Sequence, residues 1–347
     1  MNTQQSAASN AESTSQVDPA EYARLLVKYR MPSNSRAILE LAATVVPLIA
    51  LWYLMWRFAQ VSYVLTLALA FPTGFFLVRL FMIQHDCGHG SFFTNRRAND
   101  WLGRVIGVLT LTPYTYWRST HALHHASSGC LDKRGLGDID TLTVCEYRRR
   151  SWMGKLKYRF YRHPLVLLGI GPIYLFVFQH RLPFGLMKSG VRPWLSTMGT
   201  NASIALCALI AIGALGMADF ALVYFPTILI AASIGVWLFF VQHQFEFTSW
   251  DSNPRWNLLK AAMHGSSYYD LPPVLHWLTA NIGIHHVHHL CSRIPFYRLP
   301  TVMRDYPELK EVSRLSLLDS FSCVRLTLWD EKSRRMISFC QAKFVDL

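Results

Sequence analysis

The sequence predicts an all-α integral membrane protein with four transmembrane helices in two hairpins and a cytosolic helical cap. Three observations carry this: an apolar composition, four long apolar runs, and basic residues concentrated in the segments outside them. Of the 347 residues, 52% are hydrophobic and only 16% charged, against about a quarter charged in soluble domains. So much apolar surface excludes a disordered chain. The net charge of +13 could suggest nucleic acid, but in an apolar chain it reads better as basic loops on the cytoplasmic face of a membrane.

Residues 1–36 are polar, with no basic stretch leading into an apolar one, and are expected to form a disordered cytosolic tail rather than a signal peptide. The first crossing is expected at 37–56 and the second at 61–83, separated by a connection short enough to force a hairpin. The second hairpin is expected at 202–217 and 221–241, turning near Asp219. Between the hairpins, 101–111 and 164–178 are too short or too interrupted by Gly and Pro to cross, and read as interfacial or re-entrant segments. All Lys and Arg except Arg57 and Arg79 lie in 1–36, 84–199 and the region after 245. Both termini and the cap, 84–199 with 242–347, are therefore expected on the cytoplasmic side of the inner membrane, with 37–347 forming one domain.

Fourteen histidines are many, and most are clustered: His85 and His89, then His121, His124 and His125, then His285, His286, His288 and His289. Residues three and four apart share a helix face, so each cluster aims imidazoles at one place. Neutral imidazole is the commonest nitrogen ligand for iron, copper, nickel and zinc. The clusters follow the second crossing, lie in the central loop, and follow the fourth crossing, which brings them to one side of the membrane. His243, at the end of the fourth crossing, joins them there. Nine candidates (His85, His89, His121, His124, His125, His243, His285, His288, His289) exceed what one metal can use, so two are implied. His286 is ambiguous, while His163, His180, His264 and His276 stand alone and read as structural.

Other chemistries are absent. The seven cysteines are odd in number and contain no C-x-x-C, so neither a disulfide framework nor an iron–sulfur or zinc-ribbon motif is written here. No H-E-x-x-H, G-x-S-x-G, P-loop or E-x-x-H occurs. The run Arg148-Arg149-Arg150 is not interleaved with aromatics as a nucleic-acid platform would be, so no nucleic-acid partner is expected.

The segments HDCGHGSFF (85–93), YWRSTHALHHASSGCLDKRGLGDIDTLTV (116–144), WLFFVQHQFE (237–246) and NIGIHHVHHLCSRIPFYRL (281–299) resemble the membrane fatty acid desaturases. The resemblance is nearest to bacterial acyl-lipid desaturases of the Δ5 and Δ12 type and covers about 35–345. It implies a non-haem centre of two Fe ions in the cap, O2, and insertion of a cis double bond into the acyl chains of membrane lipids. Carried over by position, the nine histidines above would be its ligands. Phe247 departs from the pattern, since relatives tend to place an acid after the Glu of Q-H-x-F-E. Asp86, Asp138, Asp140, Glu246 and Asn281 are candidates to accept the remaining imidazole N–H groups.

An unactivated methylene has no acidity for a base to exploit, so the metal must carry the C–H step. Choosing one bond along a uniform chain calls for a rigid apolar tunnel, for which Tyr116, Trp117, Trp237 and Trp277 are candidate walls. No haem-binding H-P-G-G, cysteine-ligated cluster or dinucleotide fingerprint is present, so an external donor of the ferredoxin or flavodoxin type is expected to dock on the basic cap. Alternatives are a hydroxylase, acetylenase or carotenoid ketolase with the same boxes, or a membrane metal transporter.

Overall fold

The computed structural model describes residues 18–345 except Leu136. The helices used below are α1 (Pro19–Leu25), α2 (Asn34–Ala59), α3 (Tyr63–His89), α4 (Arg96–Leu109), α5 (Tyr114–Ser127), α6 (Trp152–Tyr161), α7 (Val191–Leu215), α8 (Met217–His243) and α9 (His285–Leu290). Four of them, α2, α3, α7 and α8, are long and apolar enough to cross a membrane. At 25 to 27 residues each and about 1.5 Å rise per residue, they exceed a hydrocarbon core of about 30 Å. The turns after α2 and before α8 lie at the same end, because the Gln60 amide bonds the Asp219 carboxylate.

The helices differ from the expected spans for physical reasons. Ser33 caps α2, accepting from the Arg36 amide, so α2 begins ahead of residue 37. The second runs past its apolar stretch to His89, where Gly90 stops it at φ 69°, so the first histidine box rides on a membrane helix extended into the cap. The third begins at Val191 rather than 202 because its polar first turns have partners. The Ser196 hydroxyl accepts the amides of Thr115 and Tyr116 (3.1 and 3.3 Å), capping α5 from a neighbouring helix. Along the apolar stretch of α7 no residue is buried, which leaves its side chains to the lipid.

Inside the bundle, the hydroxyls of Thr44, Thr73 and Thr227 each donate to the carbonyl four residues earlier, so polar side chains in the apolar layer are satisfied within their own helices. Helix α3 meets α8 at Gly74, where an added Cβ would stand 2.6 Å from Ile230 Cγ2. Gly74→Ala should therefore cost about 1–3 kcal/mol of stability through overpacking. Combined with Ile230→Ala, the loss should be smaller than the sum of the two single losses. Thermal unfolding in detergent reads both; additive losses would remove this contact from the account.

Amphipathic α4 buries Asn99, Gly103, Ile106 and Gly107 and exposes Trp101, Val105 and Leu109, as an interfacial helix does. The segment beginning at α6 is a bent helix pair, Trp152–Tyr161 and Val166–Arg181, meeting at 57°. Among the described residues, the cap adds five short strands to the helical expectation. Strands β1 (Leu142–Thr143), β4 (Leu328–Asp330) and β5 (Arg335–Ile337) form one sheet, in which β1 runs parallel to β4, with Leu142 opposite Leu328, and β5 antiparallel to it. Strands β2 (Tyr268–Asp270) and β3 (Arg314–Ser316) pair in parallel, with Tyr268 opposite Arg314.

The disordered tail expected over 1–36 needs correction from residue 18 onward; residues 1–17 lie outside those described. Helix α1 and the following turn cross the cap near the third histidine box. The Tyr29 hydroxyl donates to Asp305 (2.5 Å), Arg30 Nε to Cys291 Sγ (3.0 Å), and the Ser33 amide to the Tyr297 hydroxyl (2.9 Å). Leu26 and Tyr29 are buried there; averaging composition over 36 polar residues conceals two such anchors.

Candidate metal centre

Four stretches of chain bring nine imidazoles to the end of the bundle opposite the hairpin turns. Helix α3 carries His85 and His89, α5 carries His121, His124 and His125, α8 ends on His243, and α9 carries His285, His288 and His289. They fall into two groups, His85, His89, His121, His125 and His288 in one and His124, His243, His285 and His289 in the other. Within each group the nearest ring nitrogens all lie within 4.8 Å of one another. The i,i+4 pairs His121/His125 and His285/His289 each stay in one group, while His124 and His288 cross to the other. Boxes two and three thus straddle both groups, and the rings of His125 and His289 stack across the boundary at 4.2 Å.

The nitrogens converge at short range. Nε2–Nε2 separations are 3.1 Å for His89–His121, His121–His125 and His125–His288, and 3.0 Å for His243–His285. Two nitrogens held about 2.1 Å from one ion at a right angle would stand about 3 Å apart. In the four-histidine group, the buried Nε2 atoms of His124 and His289 have no hydrogen-bond partner, as expected of lone pairs reserved for an ion. Burial first, and the neighbouring rings second, hold His121, His125, His285, His288 and His289 well below the ordinary imidazole range. These rings are therefore neutral, the state a metal requires. The donor set fits a pair of transition-metal ions.

Two of the five expected orienting groups are in place. Asp138 bonds His124 Nδ1, and Asp86 approaches His85 Nδ1 at 3.3 Å while accepting the Phe296 amide at 2.7 Å. The others are corrections. Glu246 pairs with Arg335 and Asn281 Nδ2 donates to the Phe296 carbonyl. Asp140 meets Tyr161 and Arg162 through its backbone. Side-chain chemistry alone could not separate them, because each depends on where its loop returns. His243 Nδ1 is held instead by the Gly265 carbonyl at 3.1 Å, a backbone partner with no signature in the sequence.

The family model described as "Fatty acid desaturase" matches residues 61–316. The chain belongs to the fatty acid desaturase family. It is 42% identical over 319 residues to a Bacillus subtilis protein named "Fatty acid desaturase", covering 91% of this chain and 90% of the relative. It is 32% identical to a Synechocystis protein named "sn-1 acyl-lipid omega-3 desaturase (ferredoxin)", over 63% of this chain and 61% of that one. A third relative, an Anabaena variabilis protein named "sn-1 oleoyl-lipid 12-desaturase", is 26% identical over 65% and 64%.

In this desaturase the remaining expectations divide. His286 belongs to neither group: it is buried, and its Nε2 bonds the Leu309 carbonyl at 3.0 Å. His276 Nε2 accepts the Leu271 amide, His180 packs against Tyr116 and Phe176, and His163 and His264 also lie outside both groups. Of the four candidate tunnel walls, Trp117 stacks on His121 at 4.6 Å and lies 5.8 Å from His85. Tyr116 is tied to the Phe184 carbonyl, Trp237 to Tyr269, and Trp277 lies 4.1 Å from the Arg79 guanidinium. Phe239 was not foreseen, yet its ring lies 5.1 Å from His124 and 5.2 Å from His243; its i,i+4 spacing from His243 was the available signal. Phe247 is exposed. Arg148 is committed to the carbonyls of Ala342 and Val345, which leaves Arg149 and Arg150 as the exposed part of that run.

Proposed function

We propose that this protein uses O2 to introduce a cis double bond into the acyl chains of membrane lipids, with the nine grouped histidines as ligands of two irons. The observation that carries the reading is the pair of histidine groups gathered at one end of four spanning helices, in a chain whose relatives are named acyl-lipid desaturases. When bound, the irons with O2 supply the oxidising power that an unactivated C–H bond demands.

The chain's own residues do the rest. Neutral imidazoles leave the site able to hold cations without protonated rivals, and Asp86 and Asp138 fix two ring orientations. Trp117 and Phe239 flank the groups with apolar surface, which limits water and offers an acyl chain something to lie against. The two electrons required come from a separate donor of the ferredoxin or flavodoxin type, steered by the basic cap; Arg149 and Arg150 are free to take part and Arg148 is not. The charge asymmetry supports a cap on the cytoplasmic side of the inner membrane. A transporter would hold its ions near mid-depth in broken helices, whereas these groups sit at helix ends.

The test is expression in a host that lacks desaturases, with a reduced donor present and mass analysis of the lipid acyl chains. Products two mass units lighter with a defined double-bond position are expected. Products carrying added oxygen would transfer the assignment to a hydroxylase, and an unchanged lipid profile would end it.

A further inference from the structure

Arg162 follows α6 and is 2% exposed, with no carboxylate in ion-pair contact among the described residues. A buried cation without an acid partner needs other compensation, and here it comes from four oxygens on three distant segments. Nη1 donates to the Asp140 carbonyl (3.2 Å) and the Thr141 hydroxyl (3.4 Å), and Nη2 to the Gln244 side-chain oxygen (3.0 Å) and the Leu326 carbonyl (2.8 Å). Thr141 closes the ring by donating to the same Gln244 oxygen at 3.1 Å. The guanidinium carbon stands 5.6 Å from the centre of the Phe240 ring.

Two of the three segments so joined feed the four-histidine group. Asp140 lies two residues after Asp138, the partner of His124, and Gln244 follows His243 directly. The loop carrying Asp138 has little regular structure, so its carboxylate is placed only as well as residues 138–141 are held. A planar guanidinium sets the relative positions of several oxygens at once, which a lysine's single ammonium cannot reproduce. None of the four contacts reaches a residue next to the five-histidine group.

We propose that Arg162 is a positioning residue for one of the two metal sites, setting the His124, His243, His285 and His289 group and not the other. The proposal rests on the reading of these groups as metal sites. The test is iron content per chain and the Mössbauer spectrum of full-length protein purified in detergent. The variants are Arg162→Gln and Arg162→Lys, with His243→Ala and His89→Ala as references for loss of each group. Arg162→Gln should weaken the four-histidine site about 10- to 100-fold, as loss of an orienting contact does. Iron should then fall from two per chain toward one, the remaining signal matching His243→Ala and not His89→Ala, with Arg162→Lys giving little recovery. Full iron with an unchanged spectrum, or parallel loss from both sites, would overturn the proposal. If Arg162→Gln is not recovered folded, Gln244→Leu cuts the same link from the other side and is read the same way. A wild-type chain that binds no iron overturns the iron assignment itself, and this inference with it.

Discussion

Alanine at His288 should abolish desaturated product, by at least about 100-fold, while alanine at His286, two residues away on the same short helix, should leave both metal binding and product formation in place. The two rings are both buried, so exposure does not distinguish them; their partners do. His288 Nε2 points at His125 Nε2 from 3.1 Å within the five-histidine group. With that group as the proposed metal site, removing it takes away one of five candidate donors, a larger change than losing an orienting contact, which alone typically costs 10–100-fold. His286 turns to the Leu309 carbonyl, so its loss leaves one buried acceptor unpaired, a cost of about 1–3 kcal/mol in stability. Metal content, lipid analysis and thermal unfolding of the two variants separate these outcomes. Equal loss of metal in both would mean that His286 also holds the metal.

A second large effect is expected where a membrane helix carries a buried cation. Arg79 of α3 bonds Glu40 of α2 and the Trp277 carbonyl, and its Nε donates to Thr44 at 3.1 Å. Glu40 also accepts from Arg36 at 2.7 Å. Each charge is tolerated in the bundle because the other is present. Glu40→Leu should therefore lower stability by about 3–5 kcal/mol, because it strands the guanidinium, whereas Glu40→Leu with Arg79→Met should recover most of that loss. The double-mutant cycle, read by thermal unfolding in detergent, decides the matter: a double variant no more stable than Glu40→Leu alone would show that the pair is not what holds the two helices. In the double variant α3 would also lose its link to Trp277, on the segment leading to the third histidine box.

Much of this architecture was legible in the chain itself. Four apolar runs announce four crossings because lipid cannot solvate a backbone and only helices satisfy it internally. Histidines three and four apart announce shared helix faces, and the eight imidazoles singled out on that basis lie in the two groups, together with His243 at the end of the fourth crossing. The limits were equally physical. The start of α7 is polar, and only its contact with the N-terminus of α5 accounts for its helical turns. The segment around Leu26 and Tyr29 reads as tail until its docking on the cap is seen. Asp140, Glu246 and Asn281 had the same credentials as Asp86 and Asp138, and only the return paths of their loops set them apart.

The sequence by itself therefore determined the solvent this chain needs, the number of helices long and apolar enough to cross a membrane, and which histidines could gather to hold a metal, because periodicity and composition are local properties. The tertiary structure alone decided how nine imidazoles divide five and four, that His286 belongs to neither group, and that a backbone carbonyl and Asp138 orient two of the rings. Those facts depend on which distant segments meet. Helical spacing can bring two rings of one box to a common face, but it cannot say which of the two groups that face meets.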